Sequence, residues 1–224
     1  MKIKNFIMYR MNDIKTTAHQ VRGKLERRII KNDDFSIISN NCWGGWVYRY
    51  YGLPYTSPTV GNFMIAEDYL KFIQNLRYYL DGEIEIISPE QAHAASRLAK
   101  TVEKFGTYPI GRIKDVDIHF LHDRSWEKAV ETWNRRKLRI NYNKIIIKFS
   151  MQNLCKEEDC KKFNSLPFPN KILFVPDPID GIDNAVVFKR DHGRPETRDE
   201  GGHYQKYINM TKYIRNMKET KGYF

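Results

Sequence analysis

The chain has 224 residues, of which 41% are hydrophobic and 29% are charged, and its formal net charge is +11 at pH 7. This length and composition fit one globular domain with a sizeable core, and they exclude a disordered chain. No apolar run approaches the roughly 20 residues that span a bilayer, and polar residues interrupt the basic start MKIKNFIMYRM too early for a secretory signal, so we expect a cytoplasmic protein.

The first predicted element is an amphipathic helix over residues 13–31, with Asp13 as a suitable N-cap. Its other face is strongly basic. We therefore assign residues 1–33 to a basic N-terminal helix that packs on the domain or touches a surface, and residues 34–224 to an α/β domain. The apolar positions recur at helical spacing and are Ile14, Ala18, Val21, Leu25 and Ile29.

Strand and helix patterns alternate along the rest of the chain. Short β-branched runs predict strands at 35–39, 83–88, 116–122, 144–150, 171–176 and 184–188. Helices are predicted at 46–52, 66–82, 89–104, 125–140, 156–164 and 203–217. The alternation predicts a three-layer α/β/α, Rossmann-like domain with a mostly parallel sheet. Neither GxGxxG nor GxxxxGK[ST] occurs, which excludes a standard NAD site and a P-loop. The cofactor is therefore unknown.

Open α/β sheets bind ligands at the carboxyl ends of their strands, and polar residues follow several of the predicted strands. These are Asn40, Asn41, Cys42, Ser88, His122, Asp123, Ser150 and Asp177. We expect five of them to line one cavity, namely Asn40, Asn41, Cys42, His122 and Ser150.

The corner SNNCWGGWVYRYYG, residues 39–52, is the most unusual of these strand ends. Asn40 or Asn41 can cap the helix that follows. Gly44 and Gly45 let the first helical turn approach an anionic ligand. Cys42 is either a nucleophile whose pKa is lowered by the helix N-terminus or a small core residue.

Two histidines lie on the predicted strand in DVDIHFLHD. His119 and His122 face opposite sides of an extended strand, so they do not form a metal pair. His119 is assigned to the core and His122, at the strand end, to acid–base chemistry. Asp115 and Asp117 match the DxD pattern of some glycosyltransferases, but the pattern enters the strand at the wrong edge and is rejected.

No metal site is expected from the cysteines, because Cys42, Cys155 and Cys160 form no CxxC pair. Cys155 and Cys160 are read as reduced thiols on or near a helix. An odd number of cysteines also argues against a disulfide framework.

Arginines crowd the end of the predicted helix 125–140. Arg135, Arg136 and Arg139 either complement the helix dipole or form a fork for phosphate or carboxylate. The loop YTSPTVG before the next helix has two readings as well. Thr59 reaches into the site, or the loop is a structural turn.

Four stretches together resemble a known bacterial family. They are FSIISNNCWGGWVYRYYGLPYTSPTVG, EDYLKFIQNLRYYL, IHFLHDRSWEKAVETWNRRKLRIN and IIIKFS. These stretches make the chain similar to the bacterial domain-of-unknown-function family 1919. The resemblance covers roughly residues 34–215, and the N-terminal helix lies outside it. Members are often labelled exopolysaccharide biosynthesis proteins. The resemblance implies an α/β domain encoded among surface-polysaccharide genes, a transferase or its accessory, and supplies no catalytic residues.

The leading hypothesis is a transferase of capsule or exopolysaccharide assembly that moves a glycosyl or acyl group from an activated anionic donor to a glycan acceptor. Glycosyl transfer would use the corner for phosphate and His122 as base, and acyl transfer would use Cys42 as nucleophile. The alternative is a non-catalytic basic module that recruits glycan machinery or binds an anionic membrane surface, at the inner membrane face.

Basic residues cluster at 22–31, 134–144 and 206–221, which favours anionic partners. No zinc finger, RNP signature or KH loop accompanies them, so we do not expect nucleic acid as a partner.

Overall fold

The structure, a computed structural model, describes residues 21–30 and 33–224 of the chain. The strands are β1 (Ser36–Ser39), β2 (Glu85–Ile87), β3 (Ile110–Ile113), β4 (Val116–His119), β5 (Ile145–Ser150), β6 (Lys171–Val175) and β7 (Val186–Val187). The helices are α1 (21–30), α2 (Trp43–Tyr51), α3 (Ala66–Gln74), α4 (Leu76–Leu80), α5 (Ala95–Thr101), α6 (Trp126–Lys137), α7 (Glu157–Ser165), α8 (Glu200–His203) and α9 (Met210–Arg215). Short 3-10 turns span Pro89–Gln91, Lys189–Asp191 and Tyr204–Lys206.

The central sheet is parallel throughout and has the order β1-β5-β6-β7. Alternate residues of its strands face opposite sides. Ile37 and Ile146 pack in a cluster with α2 and α9, while Ile38 and Ile147 pack in a cluster with α3, α6 and α7. Helices cover both faces because both are apolar, so the predicted three-layer α/β/α domain with a mostly parallel sheet is confirmed.

The predicted strands at 83–88 and 116–122 lie outside this sheet. As β2 and β4 they pair with β3 in a separate antiparallel sheet, so the expectation that they share the parallel edge is wrong. Only Lys114 and Asp115 join β3 to β4, with Lys114 at φ 55°. A connection of two residues joins antiparallel strands, whereas a parallel crossover needs a dozen or more.

Helix boundaries follow local signals. Gly52 ends α2 in the left-handed conformation at φ 64°, as predicted. The predicted helix over 66–82 is interrupted at Asn75, which separates α3 from α4. Ser125 caps α6 by accepting a hydrogen bond from the backbone N–H of Lys128.

Helix α1 packs on the domain through a different side from its apolar stripe. Gly23 lies so close to α2 that a Cβ would stand 1.8 Å from the Tyr50 carbonyl oxygen, and Ile30 is buried. Val21, Leu25 and Ile29 are exposed. The rest of the predicted helix, with Asp13, Ile14 and Ala18, falls outside the described residues. Among the described helices, none is long and apolar enough to cross a membrane.

Candidate functional site

The corner after β1 joins the ends of two parallel strands. Asn40 donates through Nδ2 to the Ser150 carbonyl at 3.1 Å and accepts through Oδ1 from the Ser150 N–H at 3.0 Å. These two bonds continue the β1–β5 ladder beyond the last paired strand residue. Asn40 is therefore buried as a structural clamp at the carboxyl edge of the sheet.

Asn41 is the centre of a polar network above that clamp. Its Oδ1 accepts from the N–H of Trp43, the first residue of α2, at 3.1 Å, although the N-cap position itself is occupied by Cys42 and not by either asparagine. The same oxygen accepts from Lys148 Nζ at 3.1 Å. Its Nδ2 donates to Gln152 Oε1 at 2.7 Å and to Glu200 Oε2 at 3.0 Å. Both ends of the amide are thus fully used.

Lys148 is the charged member of the network and is completely buried. Its ammonium donates to Asn41, Ser150 and Glu200, which uses all three of its protons. Burial lowers the pKa of Lys148 to about 8, and the neighbouring Glu200 carboxylate opposes that effect. The three oxygen acceptors around Nζ, one of them a carboxylate, favour the charged ammonium form.

A cavity of about 270 Å³ opens over this network. Trp46 forms one wall. It is 43% exposed, and its indole lies against Gly201, where a Cβ would stand 2.3 Å from the ring. Arg49 lies over the same ring at 5.1 Å. The other lining residues combine amides and carboxylates with apolar groups: Asn41, Cys42, Trp43, Phe63, Val102, Leu121, Gln152, Asn153, Asp199 and Glu200.

Two lining residues have left-handed backbones. Asn153 has φ 57° and Asp199 has φ 47°, a conformation that Asn and Asp tolerate better than most other residues. Sparsely populated backbone conformations concentrate at functional sites. Asp199 also presents a half-exposed carboxylate that pairs with His203 Nδ1 at 2.9 Å.

Of the residues expected to line one cavity, Asn41 and Cys42 do so, and Asn40 and Ser150 lie buried beneath it. His122 does not share the cavity. It is exposed, and its backbone N–H donates to Gly61 at 3.4 Å. The reason is the sheet assignment, since β4 ends in the antiparallel sheet and not at the parallel edge.

Cys42 lacks the features of an activated nucleophile. Its thiol lies 3.7 Å from the Asn62 carbonyl oxygen as a hydrogen-bond donor, and no bond between Cys42 and His122 exists within the described residues. Burial raises the pKa of Cys42 to about 11, although Lys148 acts in the opposite direction. Of the two readings of Cys42, the structure therefore supports the small packed residue over the nucleophile with a lowered pKa, because burial has the largest effect on the thiol.

The glycine pair and Thr59 serve packing. A Cβ on Gly44 would meet the Ile37 side chain at 3.2 Å, and one on Gly45 would meet Val60 at 3.0 Å. Thr59 is buried and accepts from the N–H of Ser39 at 3.2 Å. The structure thus supports the structural readings of Gly44, Gly45 and Thr59 over ligand contact.

The arginine cluster divides into different environments. Arg136 donates through Nη1 to the Val60 carbonyl at 2.6 Å and lies over the Tyr55 ring at 4.9 Å. Burial lowers its pKa, while Asp123 acts in the opposite direction. Arg135 and Arg139 are exposed. Arg136 therefore fixes the loop beside the corner, and a joint phosphate fork remains a prediction.

A second group of titratable side chains lies in the antiparallel part. Ligand-type atoms of Asp68, His93 and Asp117 lie within 4.8 Å of one another, which is close enough to share a metal ion. However, Arg112 already binds both Asp117 oxygens, at 2.6 and 2.9 Å, and His93 Nδ1 lies 2.9 Å from Asp68. Burial raises the pKa of Asp68 to about 6, and His93 acts in the opposite direction. We read the group as an ion-paired brace and assign no metal to it.

His119 and Asp115 have structural surroundings. The His119 ring is fully buried and stacks on Phe63 with centroids 4.4 Å apart. Neither ring nitrogen has a hydrogen-bond partner among the residues that the structure describes. Burial lowers the pKa of His119 to about 4. Asp115 is bound by Lys71 and Tyr79 and takes no part in the Asp117 group.

The sequence analysis missed several members of the corner site. Lys148 carried a usable signal, since a lysine interrupts the apolar strand IIIKFS. A charge in a strand buried on both faces requires a partner. Glu200, Asp199 and Trp46 carried no comparable signal, because their positions depend on how the chain returns to the corner.

An open parallel sheet with a small cavity at its carboxyl edge defines the chain as an α/β protein. The family model described as a domain of unknown function, DUF1919, matches residues 13–221, and the chain belongs to that family. The match includes the N-terminal helix that was expected to lie outside. An uncharacterized protein of Haemophilus influenzae is 26% identical over 193 residues, which cover 84% of this chain and 86% of that relative.

Proposed function

We propose that the protein is a glycosyltransferase of bacterial exopolysaccharide or capsule assembly, and that the corner cavity holds the sugar of an activated donor. The observation that carries the proposal is the cavity lining. Amide and carboxylate groups from Gln152, Asn153 and Asp199 can pair with sugar hydroxyls, which both donate and accept hydrogen bonds. The indole of Trp46 offers a flat apolar wall for a sugar ring.

The size and charge of the cavity suit a small sugar with a phosphate outside. A volume of about 270 Å³ lies just below the range of sites for drug-sized ligands. Arg49, which lies over Trp46 at 5.1 Å, supplies a positive charge for the phosphate of the donor. The glycan acceptor would approach from the open side of the cavity.

Glycosyl transfer is favoured over acyl transfer by the state of Cys42. A thiol with a pKa of about 11 is protonated at neutral pH and is a poor nucleophile. Asp199 is the better candidate for a catalytic group, as the base that accepts the proton of the acceptor hydroxyl. Glu200 is less suited, because its carboxylate is buried and engaged by Lys148, Asn41 and Thr197. The Asp199 carboxylate also has partners, His203 and Arg190, but it is 57% exposed and therefore accessible to an acceptor.

Donor binding tests the proposal. Nucleotide diphosphate sugars and the matching free nucleotides are titrated into wild-type protein and into Trp46→Ala. We expect Trp46→Ala to weaken binding of one sugar donor about tenfold, since an aromatic contact contributes about 0.5–1.5 kcal/mol beyond its buried area. Tyr78→Ala is the matched control, because Tyr78 is also exposed and also carries a cation, Lys114, over its ring.

Turnover then separates an enzyme from a binding module. With a bound donor and a glycan acceptor, wild-type protein should release nucleoside diphosphate, and Asp199→Asn should slow the release about a hundredfold while donor affinity persists. Donor binding without release for any acceptor would favour the non-catalytic module. No binding of any nucleotide sugar, or equal losses in Trp46→Ala and Tyr78→Ala, would refute the proposed site.

A further inference from the structure

The apolar stripe of α1 has no cover among the residues that the structure describes. Val21, Leu25 and Ile29 stand on successive turns and are 53%, 54% and 48% exposed. The helix itself is held in place, because Gly23 lies against Tyr50 and Arg27 donates to the Gly52 carbonyl at 3.2 Å. A fixed helix that presents three aliphatic side chains outward indicates an interaction surface.

Positive charge is concentrated in the same part of the chain. Residues 1–31 contain nine Lys and Arg against two Asp and Glu, a net charge of +7 out of +11 for the whole chain. Within the described residues, α1 itself carries Arg22, Lys24, Arg27 and Arg28 against Glu26. A helix with aliphatic residues on one side and basic residues elsewhere has the composition of an interfacial membrane helix.

The fold adds a second basic cluster to this surface. Thr211 of α9 donates to Glu26 of α1 at 2.5 Å, which holds the two helices side by side. Between them lies a cavity of about 510 Å³ whose lining includes Ile29, Lys212 and Arg215. Two basic residues of α9, Lys212 and Arg215, therefore lie beside the stripe although they are far from α1 in sequence.

We propose that this surface binds an anionic lipid bilayer. The Val21, Leu25 and Ile29 stripe enters the interface, and Lys212 and Arg215 contact lipid phosphates. A second copy of the chain would bring like charges together, and a nucleic acid would leave the aliphatic stripe exposed, so an anionic bilayer is the partner that satisfies both features.

The proposed membrane surface and the corner cavity lie at opposite ends of α2. Trp43 and Trp46 at the start of α2 line the corner cavity, and α1 packs against Tyr50 and Gly52 at its end. The nine residues of α2 separate the two places by roughly 13 Å at 1.5 Å per residue. The membrane surface does not depend on the proposed transferase activity, because none of its residues lines the cavity.

Vesicle flotation of the full chain tests the apolar part. Phosphatidylcholine vesicles with and without phosphatidylglycerol are compared at low and high salt. We expect binding only to the anionic vesicles, with a steep loss at high salt. Leu25→Ser should weaken binding at least about tenfold, because an aliphatic side chain no longer enters the interface. Leu138→Ser is the matched control, since Leu138 is 83% exposed in another basic region.

A second pair of variants tests the charge. Lys212→Gln with Arg215→Gln should weaken binding roughly thirtyfold, which is about 2 kcal/mol, because each basic residue near an anionic surface contributes about 1 kcal/mol. Arg97→Gln with Lys100→Gln removes the same charge at the same helical spacing from exposed positions of α5 and should leave binding unchanged.

Thermal unfolding of each variant should match wild type, because all the substituted side chains are exposed. Equal binding to vesicles of phosphatidylcholine alone would overturn the proposal. So would unchanged vesicle binding in Leu25→Ser. A wild-type dimer in light scattering that Leu25→Ser converts to a monomer, without vesicle binding, would assign the stripe to self-association instead.

Discussion

Removal of the Lys148 charge should destabilise the protein strongly. In Lys148→Met the aliphatic stem is retained against Phe174, over whose ring the ammonium lies at 4.7 Å, so most of the packing survives. The substitution removes the ammonium that pairs with the Glu200 carboxylate, and the Glu200 side chain is only 3% exposed. An unpaired buried charge costs about 3–5 kcal/mol. For a chain of this size that loss lowers the unfolding temperature by about 6–20 °C.

Two further variants show whether the effect comes from the buried ion pair. Lys148→Met with Glu200→Gln should be more stable than Lys148→Met alone, because the orphaned charge is gone. Lys144→Met, just before β5, should cost less than about 1 kcal/mol, since its partner Asp34 is 64% exposed and stays in contact with water when the pair is lost. Urea unfolding followed by tryptophan fluorescence measures all three. If Lys148→Met costs no more than Lys144→Met, the buried pair does not hold the corner together.

Three more predictions follow from the surroundings of single side chains. Burial lowers the pKa of His119 to about 4 in the folded protein, against 6.5 ordinarily. The unfolded chain therefore binds a proton first, and folding stability is lost as pH falls from about 6.5 towards 4. Between pH 7 and 5, urea unfolding should show a loss of about 2 kcal/mol, which His119→Phe should remove. Cys42 should react slowly with iodoacetamide at pH 7, and a fast thiol that Cys42→Ser abolishes would contradict its raised pKa. Arg136→Ala should lower stability by about 1–3 kcal/mol through the lost bond to Val60, with Arg135→Ala as the exposed control; a loss of donor affinity at unchanged stability would instead support the phosphate fork.

The parallel half of the fold was predictable because its signals are local. Each buried strand is a short β-branched run, and Gly52 and Ser125 mark helix boundaries by backbone conformation and capping. The antiparallel sheet was not predictable in the same way. The residue pattern of a strand does not show which sheet the strand joins. Here β3 and β4 pair with each other because the short turn at Lys114 connects them.

The candidate site was predicted in part. The corner was identified because Asn40 and Asn41 follow a buried strand, and Asn41 does line the cavity. His122 was misplaced because its strand belongs to the other sheet. Glu200 could not be found, since its role arises from a contact with a lysine 52 residues earlier in the chain.

The bonds around Asn41 also determine when the corner can be completed during synthesis. Asn41 bonds to Gln152, 111 residues later, and to Glu200, 159 residues later. Domains emerge from the ribosome N-terminal end first, so β1 and the corner exist long before their last partner does. Before Glu200 has been synthesised, the Lys148 ammonium lacks its counter-charge, and burial of the unpaired charge is unfavourable. We therefore expect the bonds to Glu200 to form late in folding, after the Asn40 and Ser150 clamp has joined the first two strands of the sheet.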